Sequence, residues 1–206
     1  RVLFRSGFGR TGPMFACDAE GVEPDLMTLA KGLTSGYMPM GATMLTEAVY
    51  AGIADGAPAG APIGHGATYS AHPVGAAAAL EVLRLYDEGG ILAHGQRVAP
   101  HFAAGLEALR AHPLVGDARH RGLLGALELV ASKATKQPFD SRLGLPDRLF
   151  AAAYRNGVVF RCFGDSTLGF APALTFTEGE FELLFARLKK TLDEVLAERD
   201  VRAALG

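Results

Sequence analysis

The 206-residue sequence has little cysteine, no excess of either charge and no long apolar run. Its two cysteines, Cys17 and Cys162, stand far apart, which argues against a disulfide framework and suits a reducing cytoplasm. The net charge is −2 and the basic residues do not cluster, so binding to nucleic acid or to an anionic membrane has no electrostatic support. Charged residues or glycine interrupt the apolar runs well before the length of a membrane span, and no segment has the order of a signal peptide. We therefore expect a cytoplasmic protein.

Metal sites and hydrolase triads also lack support. Ser70 lies near His72, but the G-x-S-x-G elbow of a hydrolase is missing. None of the six histidines has metal-ligand spacing with cysteine or acidic residues: His65, His72, His94, His101, His112 and His120. The sequence predicts no metal ion.

The composition is that of a globular protein, with 49% hydrophobic and 20% charged residues. Residues 24–30 and 38–46 each predict a strand, and helices follow after Thr46 and after His72, which favours an α/β arrangement. Beyond about residue 112 we expect a smaller α+β unit in the order strand, helix, strand, strand, helix. We place the domain boundary near residue 90, giving domains of 1–90 and 91–206.

Capping and turn signals set the expected ends of several elements. Thr46 is placed to cap a helix, and Thr177 with Glu180 forms a capping box ahead of a long amphipathic helix. The remaining predictions are a loop over 55–67, helices over 73–89, 91–111 and 146–157, a strand over 121–130, and two strands around a turn at 164–165.

Lys31 stands in "TLAKGLTSG", between an apolar run and a glycine. Loss of solvation disfavours the charged form of a lysine and leaves an amine that can attack a carbonyl carbon. Gly32, Gly36 and Gly41 would let the backbone approach a bound group. A lysine whose stem lies along the surface from a strand end fits the same pattern.

"GHGATYSAHP", residues 64–73, combines glycines, the hydroxyl of Thr68 and a helix start. Backbone N–H groups, a side-chain donor and the positive end of a helix together can hold a phosphate. An ordinary capped helix start after a loop is the alternative.

Two other motifs carry weaker signals. "GFGRTG", residues 7–12, matches G-x-G-x-x-G in letters, but Pro13 follows where a dinucleotide site needs a helix, so we expect a glycine-rich turn. Arg161, in "FRCFGD", stands at a strand end, where its guanidinium could grip a carboxylate in bidentate fashion. A surface arginine without a ligand is the alternative.

Taken together, "GFGRTG", "GVEPDLMTLAKGLTSGYMPMGA" and "HGATYSAHPVGAAAALEVL" resemble the class III (omega) aminotransferases, enzymes of fold type I that use pyridoxal 5′-phosphate (PLP). The resemblance runs from Gly7 to about Leu196. It implies the C-terminal part of the PLP-binding large domain followed by a small α+β domain. It also implies a homodimer whose active sites are built from both chains.

The resemblance assigns roles to four residues. Lys31 would form the Schiff base with PLP and later shuttle the substrate proton. Thr68, with the backbone N–H of Ala67 or Thr68, would bind the PLP phosphate of the partner's site. Arg161 resembles the mobile arginine that pairs with the carboxylate of a keto acid. The implied reaction moves an amino group from an amine to a keto acid such as pyruvate, with ping-pong kinetics.

The chain departs from the family pattern in two places. Ala71 stands where members have glycine, and we expect the added methyl to be tolerated. Members also carry an aspartate for the pyridine nitrogen just before the glycine-rich turn, at the place of Val2, after an N-terminal half that this chain lacks. Residues 1–6, "RVLFRS", can be encoded by a sequence resembling a sequencing-adapter end. They are either an artefact fused to a truncated reading frame or a genuine short strand.

Three hypotheses for function follow. The first is an amine–pyruvate aminotransferase of which this chain is the C-terminal half, acting on an omega-amino acid, a diamine or an alkyl amine. The second is another class III activity, namely a mutase, racemase or decarboxylase, which would share the Lys31 segment; Arg161 favours transamination. The third is a non-catalytic fragment, because without the aspartate PLP is a poor electron sink and the broken domain would expose sheet edges.

Overall fold

A computed structural model describes residues 2–4, 7–58 and 66–206 of the chain. The chain divides into two compact units, Arg1–Leu92 and Ala93–Gly206. Of the predicted loop over 55–67, residues 59–65 lie outside the described residues, as do residues 1, 5 and 6 of "RVLFRS". Within the described residues, no helix is both long enough and apolar enough to cross a membrane.

The first unit contains a three-stranded sheet in the order β1-β2-β3. Strand β1 pairs in parallel with β2, with Val2 opposite Leu26, and β2 pairs antiparallel with β3, with Ala30 opposite Gly41. The elements in chain order are β1 (Val2–Phe4), α1 (Ala16–Ala19), β2 (Leu26–Ala30), a 3-10 turn (Lys31–Leu33), β3 (Gly41–Leu45), α2 (Glu47–Gly56) and α3 (Pro73–Asp87). The two predicted strands of this unit are confirmed as β2 and β3.

A small apolar core holds the glycine-rich segment against the first unit. Phe8, Leu33 and Ala79 are buried there. The Phe8 ring lies 5.8 Å from the ring of Phe15 and 5.7 Å from that of Tyr86 on α3. "GFGRTG" itself is a turn, with Gly12 N–H donating to the Gly9 carbonyl at 3.1 Å, and no helix opens from it. The prediction of a glycine-rich turn is confirmed.

The second unit packs helices against a four-stranded antiparallel sheet in the order β4-β5-β7-β6. Its apolar core includes fully buried Phe102, Leu127, Phe181 and Leu188. The elements are α4 (Ile91–Leu109), β4 (Val115–Arg121), β5 (Leu124–Leu129), a 3-10 turn (Ser141–Leu143), α5 (Leu145–Arg155), β6 (Arg161–Cys162), β7 (Thr167–Phe170), α6 (Glu178–Leu196) and α7 (Arg199–Ala203). The second unit begins inside α4.

Strand β4 is absent from the predicted order of elements, and the expected sequence of strand, helix, strand, strand, helix is wrong at this point. The strand reads "VGDARHR", and its last three residues are exposed. It lies at the edge of the sheet, where charged side chains are favoured because they prevent pairing with other chains. An edge strand therefore lacks the apolar pattern by which a buried strand is recognised.

Of the two predicted helix caps, the capping box at Thr177 forms and the side-chain cap at Thr46 does not. Thr177 Oγ1 accepts a hydrogen bond from the Glu180 N–H at 3.3 Å, and Glu180 Oε2 accepts one from the Thr177 N–H at 2.7 Å, which confirms the capping box. Thr46 occupies the N-cap position of α2, but its side chain makes no capping bond. Helix α2 runs on to Gly56, past the expected start of the loop at residue 55.

Candidate active site

Lys31 stands where β2 ends, at the first position of the 3-10 turn. Its φ is 54°, in the left-handed region that side chains other than glycine rarely adopt. The side chain is exposed, so the burial expected from its apolar neighbours is not found. The reason is that the neighbouring residues of β2 are themselves only half-buried.

The segment after Lys31 is held in a tight, fixed path. Thr34 is buried and its hydroxyl donates to the Met38 carbonyl at 2.6 Å. Ser35 and Gly36 both have positive φ, 51° and 82°. A Cβ on Gly32 would lie 2.6 Å from the Phe8 ring, so only glycine allows the turn to approach the core this closely. These contacts fix the backbone from which the Lys31 side chain projects.

The ammonium group of Lys31 forms no ion pair or hydrogen bond with any residue in 2–4, 7–58 or 66–206. Several other cationic side chains form ion pairs with carboxylates; Arg84, for example, lies 2.7 Å from Glu81. An amino group without a partner, on a fixed backbone, is available for covalent capture of a carbonyl group once it loses its proton.

Thr68 lies in an exposed turn that leads into α3. Ser70 N–H donates to the Ala67 carbonyl at 2.9 Å, and the Ala67 N–H donates to Ser70 Oγ at 2.9 Å. The Ala67 N–H is thus already used within the turn. Thr68 has no hydrogen-bond partner among the described residues, so its hydroxyl and N–H are both available to a ligand.

The turn ends in a strained residue and a capped helix. Ala71 has a φ of 56°, a left-handed conformation that costs an alanine about 1–2 kcal/mol. His72 is the N-cap of α3, and its Nδ1 accepts a hydrogen bond from the Val74 N–H at 3.2 Å. The 3-10 turn that starts at Lys31 packs against this same helix α3. The turn that begins at Lys31 and the turn that holds Thr68 therefore belong to one unit, and both adjoin α3.

Arg161 lies in the second unit, on β6 opposite Gly169 of β7. Its side chain is exposed and forms no ion pair with a described residue. The guanidinium carbon lies 5.2 Å from the centre of the Phe163 ring, a contact that sequence reasoning missed. An aromatic two residues after the arginine was the available signal, because side chains at i and i+2 share one face of an extended segment.

Cys162, next to Arg161, is not a reactive thiol. Burial raises the pKa of this thiol to about 11, and the carboxylates of Asp165 and Asp147 add to the shift. The thiol is neutral at physiological pH and does not act as a nucleophile. In the described part of the chain, no group of three or more histidine, cysteine or acidic side chains could hold a metal ion.

The family profile described as aminotransferase class-III matches residues 4–192 of the chain. An uncharacterized aminotransferase of Sinorhizobium fredii is 41% identical over 196 residues, which is 94% of this chain and 42% of that protein. The putrescine–pyruvate aminotransferase of Pseudomonas aeruginosa is 40% identical over 193 residues, 93% of this chain and 41% of the relative. The chain thus spans about two fifths of the length of these relatives.

Solved structures give the same result. The PMP-bound aminotransferase from Vibrio fluvialis superposes with a TM-score of 0.83 and 33% identity, over 93% of this chain and 42% of that one. The fold is therefore that of part of a fold type I transaminase, as the resemblance implied. The chain belongs to the class-III aminotransferase family, whose cofactor is PLP.

Proposed function

We propose that this chain is the C-terminal half of an aminotransferase that moves an amino group from an amine to a keto acid such as pyruvate. The observation that carries the proposal is the free amine of Lys31 on its fixed left-handed backbone at the end of β2. Support for the substrates comes from the P. aeruginosa relative, which is a putrescine–pyruvate aminotransferase. The donor could equally be an omega-amino acid or an alkyl amine.

The residues present fit two parts of the cofactor. Lys31 offers an uncommitted primary amine for the cofactor's carbonyl carbon, and Thr68 offers a free hydroxyl and N–H for its phosphate. Ala67 could contribute its N–H only if Ser70 Oγ moves away. For the pyridine nitrogen, β1 carries Val-Leu-Phe beside β2 and no carboxylate. The fit covers the reactive carbon and the phosphate, and a longer protein would have to complete it.

Each residue then has a defined task. When bound, PLP supplies an electron sink for the carbanion left as the substrate carbon loses its proton. Lys31 would hold the cofactor through Nζ, and its amino group would move the proton of the substrate carbon. Thr68 would orient the phosphate of the cofactor. In a homodimer, that phosphate would belong to the active site of the partner chain. Arg161 presents its guanidinium to the carboxylate of the keto acid.

The test of Lys31 uses the 206-residue chain. PLP is added, the visible absorbance is recorded, and borohydride reduction is followed by peptide mapping. We expect the label on the Lys31 peptide and no label in Lys31→Ala. Lys136→Ala is the matched control, because Lys136 is also exposed and has a φ of 58°. Equal labelling of many lysines, or labelling that survives Lys31→Ala, would refute the assignment.

Product analysis distinguishes transamination from the other class III activities. The full-length protein is incubated with pyruvate and a panel of putrescine, beta-alanine and 1-phenylethylamine. Formation of alanine supports the aminotransferase, since a mutase, racemase or decarboxylase transfers no amino group to pyruvate. A converted substrate without alanine would favour the second hypothesis.

The non-catalytic fragment is the second candidate for the chain by itself, and the open sheet face favours it. A cavity of about 310 Å³ beside β2 and β3 is lined largely by apolar residues, and Met44 there is 56% exposed. Such a face promotes association, as does the position of β3 at the edge of the sheet that the described residues form. We expect the chain alone to be inactive in transamination and to sediment as larger species. A monodisperse chain that forms alanine would contradict this.

A further inference from the structure

The guanidinium of Arg161 rests on an aromatic ring instead of a carboxylate. Its central carbon lies over the Phe163 ring at 5.2 Å from the ring centre. A cation over an aromatic face is attracted by the ring's electrons, and the in-plane N–H groups stay available for another partner. The stack therefore orients the arginine without using the donors that a carboxylate needs.

The backbone that carries the Phe163 ring is fixed by the hairpin between β6 and β7. Phe163 N–H donates to the Thr167 carbonyl at 2.9 Å, and Ser166 N–H donates to the Phe163 carbonyl at 2.9 Å. Asp165 Oδ1 accepts a hydrogen bond from the Thr167 N–H at 3.0 Å, which closes the turn. Leu168, next along β7, is fully buried. The ring thus stands on a part of the hairpin that is tied to the core.

A glycine makes the space in which the ring sits. Gly169 lies directly across the sheet from Arg161, and a Cβ there would come within 2.9 Å of Phe163 Cε2. Even an alanine would push the ring aside. Arg161, Phe163 and Gly169 therefore form one arrangement, in which the missing side chain allows the ring to lie beneath the guanidinium.

We propose that Phe163 is a positioning residue for Arg161, holding its guanidinium ready to bind the carboxylate of the keto-acid acceptor. The inference rests on the proposed function. A long arginine side chain loses rotamer freedom when it binds, and a stacked guanidinium has already lost part of it. Phe163 accordingly favours the acceptor that carries a carboxylate and has no effect on a donor that carries none.

Kinetics of the full-length protein test this with two independent changes, Phe163→Leu and Gly169→Ala. An exposed cation–π contact of about 0.5–1 kcal/mol corresponds to a loss of about two- to fivefold in kcat/KM for pyruvate. The amine donor in these assays is putrescine or 1-phenylethylamine, whichever yields more alanine, because neither carries a carboxylate. The value of kcat/KM for that amine should not change. Phe163→Tyr should retain the wild-type value, since it keeps the ring. Phe150→Leu is the matched control, because Phe150 is 55% exposed and makes no ring contact with a described residue.

A spectroscopic arm uses the full-length protein and needs no catalysis. The ring current of Phe163 should shift the NMR signals of the Arg161 δ-methylene and Nε–H upfield. We expect this shift to disappear in Phe163→Leu and to persist in Phe150→Leu. Arg161 signals at ordinary positions in the unaltered full-length protein would overturn the proposal.

Arg161→Gln separates failure of the inference from failure of the proposed function. If Arg161→Gln lowers kcat/KM for pyruvate strongly and Phe163→Leu does not, Arg161 keeps its role and the positioning role of Phe163 is wrong. If Arg161→Gln leaves kcat/KM for pyruvate unchanged, Arg161 does not bind the carboxylate of the keto acid. The positioning role of Phe163 is then wrong as well. An equal loss with amine and pyruvate in Phe163→Leu would also overturn the inference, because it would reflect general damage to the hairpin.

Discussion

Nε2 of the buried His112 lies 3.3 Å from Oδ1 of Asp193, but makes no hydrogen bond with any described residue. On the other side of the ring, Nδ1 accepts a hydrogen bond from the Leu114 N–H at 3.2 Å. Burial lowers the pKa of His112. The carboxylate of Asp193 raises this pKa in part, whereas the charges of Lys189 and Lys133 lower it further. The ring is thus held neutral, with the lone pair of Nδ1 in use.

We predict that acid weakens the chain through His112. Because the folded pKa is below the unfolded value of 6.5, the unfolded chain takes up this proton first. The stabilisation is complete above that value and is lost as pH falls from it toward the folded pKa. The urea midpoint, followed by circular dichroism, should therefore fall as the pH is lowered through the unfolded value of 6.5.

His112→Gln should reduce this pH dependence. Carboxylates whose pKa is lowered, such as Asp193, titrate below the same window. His101→Gln is the control, since His101 is exposed beside Glu178 at 3.2 Å, and it should leave the dependence in place. The same pH slope in His112→Gln as in the unaltered chain would show that another group is responsible.

Replacing Ala71 by glycine should stabilise the chain by about 1 kcal/mol, since glycine adopts the left-handed angle at no steric cost. The side-chain methyl of Ala71 thus carries a backbone cost, because the φ of 56° disfavours any residue with a Cβ. Ala77→Gly, in the exposed face of α3, should have the opposite sign and cost about 1 kcal/mol. Urea denaturation measures both. Destabilisation by Ala71→Gly would mean that residue 71 does not hold this angle in solution.

Two threonines at helix N-caps should respond differently to alanine. Thr177→Ala removes a hydroxyl that accepts from the Glu180 N–H and should cost about 1 kcal/mol. Thr46→Ala removes a hydroxyl that makes no capping bond, so its unfolding free energy should change by only about a few tenths of a kcal/mol. Equal losses would indicate that the Thr46 side chain caps α2 after all.

Gly105 on α4 should not tolerate a side chain. A Cβ there would lie 2.1 Å from the Phe185 ring, and displacing that ring should cost about 1–3 kcal/mol. Gly179 on α6 has nothing within 4 Å of its Cβ position, and Gly179→Ala should stabilise the helix by about 0.5–1 kcal/mol. Thermal melts of the two variants should move in opposite directions. A neutral Gly105→Ala would show that α4 and α6 can separate at this point without loss.

Local signals in the sequence located most elements. The capping box at Thr177 and Glu180 and the spacing of Val98, Phe102 and Leu106 depend only on residues within a few positions of one another. The sequence also singled out Lys31, Thr68 and Arg161 through their neighbours. Strand β4 was not predicted, because it is defined by its pairing with β5 and its charged residues are typical of a sheet edge and not of a buried strand.

By itself, the sequence determined the longer helices and most strands, because periodicity and caps are local, and its motifs supplied the prediction of the site residues. The short helices α1 and α7 were not predicted. The tertiary structure decided the rest. It left Lys31 exposed, gave Ala71 a left-handed angle, and laid the Arg161 guanidinium over Phe163 in the space that Gly169 provides. Burial and stacking depend on which distant segments meet, and the contacts that force a backbone angle exist only once the chain has folded.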